Sequence, residues 1–165
     1  KSGGNFSLDS RGAILSYQLR NLSDYTIFQT RLSSTYEIRT CSTIPVFKNG
    51  QFVRNDDTGE FFIFMESALR RIPLKVLNKI FRFNVSEVAH YPNSRLEDVQ
   101  KSTPISNDSE LIGIRFSNTL YLRENNTLRL IPNMETRLGY HFNYDNCTKW
   151  FYIGDSYEIG AVIKF

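Results

Sequence analysis

Short apolar runs rich in β-branched and aromatic residues alternate with turn residues along most of the chain, which is the signature of strands rather than of helices. The segments "GAILSYQL" (12 to 19), "YTIFQTRL" (25 to 32) and "YEIRT" (36 to 40) read as strands. In "IPVFKNGQFVR" the dipeptide Asn49-Gly50 separates two alternating runs, and Asn-Gly accepts positive φ at both central positions of a hairpin turn. "ELIGIRF" (110 to 116) leads into a second hairpin, "TLYLRENNTLRLI", with its turn placed at Glu124 to Asn126. That turn predicts Leu120, Leu122, Leu128 and Leu130 on one face, with Tyr121, Arg123 and Arg129 on the other. "RLGYHFNY", "KWFYIG" and "YEIGAVIKF" close the chain as further strands.

One stretch has a different period. From Phe61, "FFIFMESALRRIPLKVLNKIFRF" places apolar residues at Met65, Leu69, Ile72, Val76, Ile80 and Phe83, spacings of three and four that suit a helix. Pro73 lacks an N–H and clashes with a preceding helical turn, so it belongs at the start of a helix over roughly 74 to 82. The expected fold is mainly β, antiparallel sheets packed around one central helix at about 65–82. The polar stretch 91 to 110 reads as a long loop. No segment reads as a repeat of another, and the 165 residues are expected to form one domain excised from a longer chain.

Composition narrows the function classes. With 41% hydrophobic and 14% aromatic residues the chain can form a core. The net charge of +3 is spread over scattered basic residues, Arg70-Arg71 being the one adjacent arginine pair, so no nucleic-acid partner is expected. The longest apolar run, "FFIFM", is far below the ~20 residues of a membrane helix, so no membrane insertion is expected. His90 and His141 are remote in sequence and the two cysteines, Cys41 and Cys147, have no metal-ligand spacing. Asp56-Asp57 reads as a polar turn, not the facing carboxyls of a glycosidase. No catalytic set, cofactor or metal is expected.

Cys41 and Cys147 are a candidate disulfide, set against two buried, reduced thiols. Asn-X-Ser/Thr sequons stand at Asn5, Asn21, Asn84, Asn107, Asn125 and Asn146, as in a secreted or surface glycoprotein, although Asn84 has apolar neighbours.

The stretch "YHFNYDNCTKWFY" (140 to 152) carries the one tryptophan. Strand alternation with Phe151 and Ile153 inward turns Trp150 and Tyr152 outward, beside Lys149, Asn143 and Asp145. Flat aromatic faces with polar groups at their edges suit a sugar ring, so these five residues are the candidate glycan site. Tyr121, Arg123, Asn125 and Arg129 form a second candidate surface; ordinary core packing and hairpin solvation are the alternatives for both.

The segment "SELIGIRFSNTLYLRENNT" (109 to 127) resembles the central strands of the receptor-binding head of rotavirus outer-capsid spike proteins, with an apolar-apolar-Gly-apolar strand, a short aromatic-containing strand and a polar turn. The best-known head of that family is a galectin-like β-sandwich with its helix near the C-terminus, whereas here the helical pattern is central. The resemblance implies a non-catalytic attachment domain on the virion surface, with host cell-surface glycans and other segments of a parent spike as partners. The alternative expectation is a protein-interaction module of a secreted or cell-surface glycoprotein.

Overall fold

The computed structural model describes residues 44–165, which belong to one compact unit, Thr43–Phe165. The strands expected at 12 to 19, 25 to 32 and 36 to 40, and Cys41, lie outside the described residues, so the expectation of one domain over 1–165 extends beyond them. The described residues are mainly β, as the hydrophobic pattern implies. They hold β1 (Phe52–Asn55), β2 (Phe61–Met65), β3 (Ala68–Ile72), α1 (Leu74–Ile80), β4 (Ala89–Tyr91), α2 (Asn93–Leu96), β5 (Glu110–Ile114), β6 (Leu120–Glu124), β7 (Thr127–Ile131), α3 (Met134–Gly139), β8 (Thr148–Trp150) and β9 (Glu158–Ile159). Single 3-10 turns occupy Val85–Glu87 and Tyr144–Asn146.

Two sheets form, ordered β3-β2-β1-β4 and β8-β5-β6-β7-β9. Both are mixed rather than purely antiparallel, because β4 runs parallel to β1, β8 to β5 and β9 to β7. The single helix expected at about 65–82 is shorter: Pro73 does start a helix, but α1 covers Leu74–Ile80 alone. The residues before it are a hairpin, whose turn places Glu66 and Ser67 at φ 51 and 69. "FFIFM" mimics a helical face because β2 is apolar on both sides, Phe62 and Ile63 both being buried.

The sheets are two copies of one repeat, which the reading of the sequence missed. β2 spans Phe61–Met65 and β6 Leu120–Glu124, 59 positions on. The same shift of 59 carries β3 onto β7 (Ala68 onto Thr127) and β4 onto β8 (Ala89 onto Thr148). It also carries the first 3-10 turn onto the second, Val85 onto Tyr144. Strand order and pairing sense repeat as well, since β1 is antiparallel to β2 and parallel to β4 just as β5 is to β6 and β8. After each fourth strand the chain returns along the third. Ile105 N–H donates to the Arg71 carbonyl at 2.9 Å and Ile163 N–H to that of Leu130 at 2.9 Å. The repeats run from about 51 to 105 and from 110 to 163.

The shared sequence is sparse, and each shared residue has a physical task. "ALRRIP" (68 to 73) and "TLRLIP" (127 to 132) hold the clearest trace. Leu69 and Leu128 are fully buried in their sheets, Ile72 and Ile131 face the common core, and Pro73 and Pro132 end the strand ahead of a helix. That core lies between the sheets and draws on both repeats, with Ile63, Ile80 and Phe81 from the first against Leu122, Tyr140 and Phe142 from the second. A smaller cluster of Phe47, Val53, Phe62, Leu69, Leu96 and Val99 covers the outer face of the first sheet. Leu96 and Val99 lie in the stretch expected to be an unstructured loop; it carries α2 and then pairs Lys101 with Leu69.

Three further expectations change. Asn49-Gly50 makes a tight turn, with Gly50 at φ +85, but it leads into β1 instead of joining two described strands. A side chain at Gly50 would sit 1.8 Å from the Gly139 carbonyl, so glycine is required there. The β6–β7 turn has two central residues, with Glu124 opposite Thr127, not three. One residue of slip flips a face. Leu122 stands across from Arg129 and Tyr121 from Leu130, so the leucines do not share a side. "RLGYHFNY" is no strand either: α3 ends at Gly139, and Asn133 Oδ1 caps it by accepting the Thr136 N–H at 2.8 Å.

Candidate functional site

The turn after β5, residues 115–119, and the chain leaving β8 form one exposed end of the second sheet. Arg115 N–H donates to the Trp150 carbonyl at 2.7 Å, which ties the two segments together. Phe116 is 98% exposed and held at φ 61, a left-handed conformation unusual for a bulky residue. Phe151 (66% exposed) lies 6.5 Å from it between ring centroids, with the Arg115 guanidinium 4.5 Å over the Phe151 ring. Tyr152, 78% exposed, follows at once. Phe151 does not point inward, so β8 stops at Trp150 and alternation fails beyond it. A depression of about 330 Å³ lined by Ile114, Phe116 and Lys149 opens beside these rings.

On the other side of Lys149 a cavity of about 370 Å³ is lined by Gly113, Asn118, Arg137, Tyr144, Asp145 and Lys149 among others. Gly113 makes the room: a Cβ there would stand 2.8 Å from Lys149 Nζ and 2.9 Å from Cys147 Sγ. Arg137 donates from Nη2 to the Asn118 carbonyl, while its buried Nε meets no acceptor among the described residues. Arg82 binds the Asp145 carboxylate and lies 4.5 Å over the Tyr144 ring.

The expected site residues separate into groups. Lys149 and Asp145 both line the cavity, and Tyr152 is on the aromatic patch. Trp150 is half-buried with its ring 5.0 Å from Tyr157, and its register opposite Ile114 sets it on the other face of the sheet from Lys149, which is opposite Gly113. Asn143 lines neither depression; its backbone N–H donates to the Ile80 carbonyl at 2.7 Å and its Nδ2 to the Asn78 carbonyl at 3.4 Å. Tyr121 and Arg123 lie on the outer face of the second sheet, and Arg123 is held by Glu110 (2.9 Å) and Asp108 (3.1 Å). Burial opposes the Arg123 charge, yet those two carboxylates raise its pKa on balance. Arg129 is half-buried and bound to Glu66 at 2.7 Å. Cys147 is a free, half-buried thiol, and its candidate disulfide partner, Cys41, lies outside the described residues.

The reading of the sequence missed Phe116, Arg115, Arg137 and Gly113. A phenylalanine in the polar turn "RFSNT" was the available sign, since a large apolar side chain at a turn has no core to enter. The two histidines do not meet: His90 Nδ1 lies 2.8 Å from Asp56 Oδ1, and the His141 ring packs 5.5 Å from that of Phe52.

No protein-family model, curated protein or solved structure matches the chain.

Proposed function

We propose that the chain is a non-catalytic recognition domain of an attachment protein, and that the Phe116–Phe151–Tyr152 patch with the Lys149 cavity binds host cell-surface glycans. One observation carries this reading. The first repeat builds the same strands without exposed rings at the matching positions, where Asp57, Pro92 and Asn93 stand in place of Phe116, Phe151 and Tyr152. The fold therefore has no need of those aromatics. Aromatic faces supply stacking surface for the C–H face of a sugar, and Lys149, Arg137 and Asp145 supply directional partners for hydroxyls. The resemblance of residues 109 to 127 to the rotavirus spike head supports placing the domain on a virion surface as part of a larger spike.

The test is a glycan array with the domain displayed multivalently, because single-site sugar affinity is often only millimolar, about 4 kcal/mol. Selective binding lost in Phe151→Ala supports the reading. Absence of binding, or binding unchanged by Phe151→Ala and Lys149→Ala together, removes it.

A protein-interaction module of a secreted or surface glycoprotein is the second reading. Its supporting observation is that the sequon residues Asn84, Asn107, Asn125 and Asn146 are all exposed, Asn84 included despite its apolar neighbours. Intact mass of protein from secretory cells, before and after glycosidase, tests it: bare asparagines count against this reading.

A further inference from the structure

The contacts between the two repeats are reciprocal. Arg70 of the first repeat grips Glu124 of the second with two N–H groups, at 2.7 and 3.2 Å. Its counterpart 59 positions on, Arg129, grips Glu66 of the first at 2.7 and 2.9 Å. The glutamates are one position out of register with each other, Glu124 matching Met65 and Glu66 matching Asn125, but each sits at the turn end of its repeat's β-hairpin, so the two arginines reach the same end of the opposite hairpin. The backbones meet in the same relation, although His141 N–H donates to the Leu138 carbonyl and not back to Arg82. Phe81 bridges Phe142 antiparallel, and around that bridge Arg82 N–H donates to the His141 carbonyl at 2.6 Å. Arg82 and His141 are themselves counterparts, 59 apart, so the bridge is centred on a point where the repeat meets its own equivalent. An interface in which a contact from i to j returns as j to i is the two-fold, isologous kind formed by two copies of one molecule.

We infer that the face joining the repeats is a self-association surface, and that the partner it fits is a second copy of the same repeat. The described residues then form a homodimer-like assembly whose subunits happen to be joined through residues 106–109. The larger core needs both repeats, since the rings of Phe81 and Phe142 stack 5.5 Å apart at 18° across the interface, and only the smaller Phe47–Val99 cluster belongs to the first repeat alone. The link between the repeats is local: Ser106 Oγ meets Ser109 Oγ at 2.7 Å and donates to Asp108 Oδ1 at 2.6 Å, while Asn107 and Asp108 are exposed. Asp108 does hold Arg123, but Arg123 belongs to the second repeat, so that contact adds nothing across the interface.

The test is the full chain with a specific protease site inserted between Asn107 and Asp108, cleaved after folding. Native mass spectrometry and size exclusion are expected to show the two fragments as a 1:1 complex at micromolar concentration. Arg70→Glu and Arg129→Glu, in the cleaved protein, should each weaken that complex by about tenfold or more, because each leaves a like-charged pair. Arg123→Ala, which breaks a pair within the second repeat, should leave it intact. Fragments that part on cleavage overturn the inference, as does a complex that survives both Arg70→Glu and Arg129→Glu. If the insertion itself prevents folding, the uninterrupted chain is nicked at Asp108 with an aspartate-specific endoproteinase, and the same outcomes apply.

Discussion

The first repeat closes the places that the second leaves open. Where the second has Gly113, the first has Arg54, whose guanidinium lies 5.9 Å over the Phe61 ring and 3.4 Å from Asp56. Phe61 is the counterpart of Leu120, which lines the second repeat's cavity, so the Arg54 side chain occupies the matching space. Where the second exposes Phe116 and Tyr152, the first has a polar clasp. Asp57 Oδ2 accepts the Asn93 N–H at 2.6 Å, and Asn93 Oδ1 accepts from Asn55 Nδ2 at 2.9 Å. Asn55 Oδ1 in turn accepts the Asp57 N–H at 3.0 Å. One backbone thus carries two surfaces, one satisfied internally and one presenting aromatic rings to solvent beside a cavity. Positions alike in both repeats report what the fold requires, and positions that differ are free for other work.

That comparison can be broken most severely in the shared core. Phe142 is fully buried, whereas its counterpart Phe83 is only partly so. Phe142→Ala is expected to cost about 3–5 kcal/mol in denaturant unfolding, and Phe83→Ala clearly less. Equal losses would mean that the repeats share the core evenly. The reciprocal ion pairs differ in the same sense. Arg70 and Glu124 side chains are 8% and 14% exposed, against 19% and 27% for Arg129 and Glu66. Arg70→Ala strands a nearly buried carboxylate and should cost about 3 kcal/mol, with Arg129→Ala costing less because water can reach Glu66.

Acid sharpens the contrast further. Burial raises the Glu66 pKa, but hydrogen bonds from Arg129 and the Lys164 N–H, with the charges of Arg129 and Arg70, lower it overall. A carboxylate whose folded pKa lies below its unfolded one adds stability above the ordinary carboxylate range. That stability is lost as pH falls through the folded value. Stability curves against pH should therefore show a shallower acid limb in Glu66→Gln than in the parent. An unchanged limb would mean that Glu66 is not held by Arg129 in solution.

How much of this was legible follows from what each residue does. The β-rich class, the hairpin in "TLYLRENNTLRLI" and the helix start at Pro73 were legible because they rest on local chemistry: alternation, turn residues and a missing N–H. Register was not, because a two-residue and a three-residue turn both suit "ENNT", and only packing against the first repeat puts Arg129 rather than Leu128 inward. The duplication hid for a related reason. Its requirements are few, a Leu-Arg-x-Ile-Pro run and scattered apolar positions, and buried Leu77 is matched by buried Thr136 without loss of the fold. The proposed site was partly legible. Strand alternation drew attention to Lys149, Asp145 and Tyr152, which lie at the cavity and the aromatic patch, whereas the Trp150 ring packs against Tyr157, as large amphipathic rings often do.

A smaller effect is expected at Gly113. Gly113→Ala pushes a methyl group toward Lys149 Nζ and Cys147 Sγ, ends of side chains that can shift. Stability should change by less than about 1 kcal/mol, while binding at the cavity weakens. Full binding by Gly113→Ala would place recognition on the aromatic patch alone.

The central claim is that the second repeat's rings are spare for folding and serve recognition. Its most direct test gives that repeat the first repeat's residues, Phe116→Asp with Tyr152→Asn, and measures thermal unfolding and glycan-array binding on the same sample. Unfolding should shift by no more than about 0.5 kcal/mol, as for ordinary surface substitutions, and removal of a left-handed phenylalanine favours the variant. Binding should be lost. A variant that melts well below the parent, or one that binds as the parent does, would contradict the account.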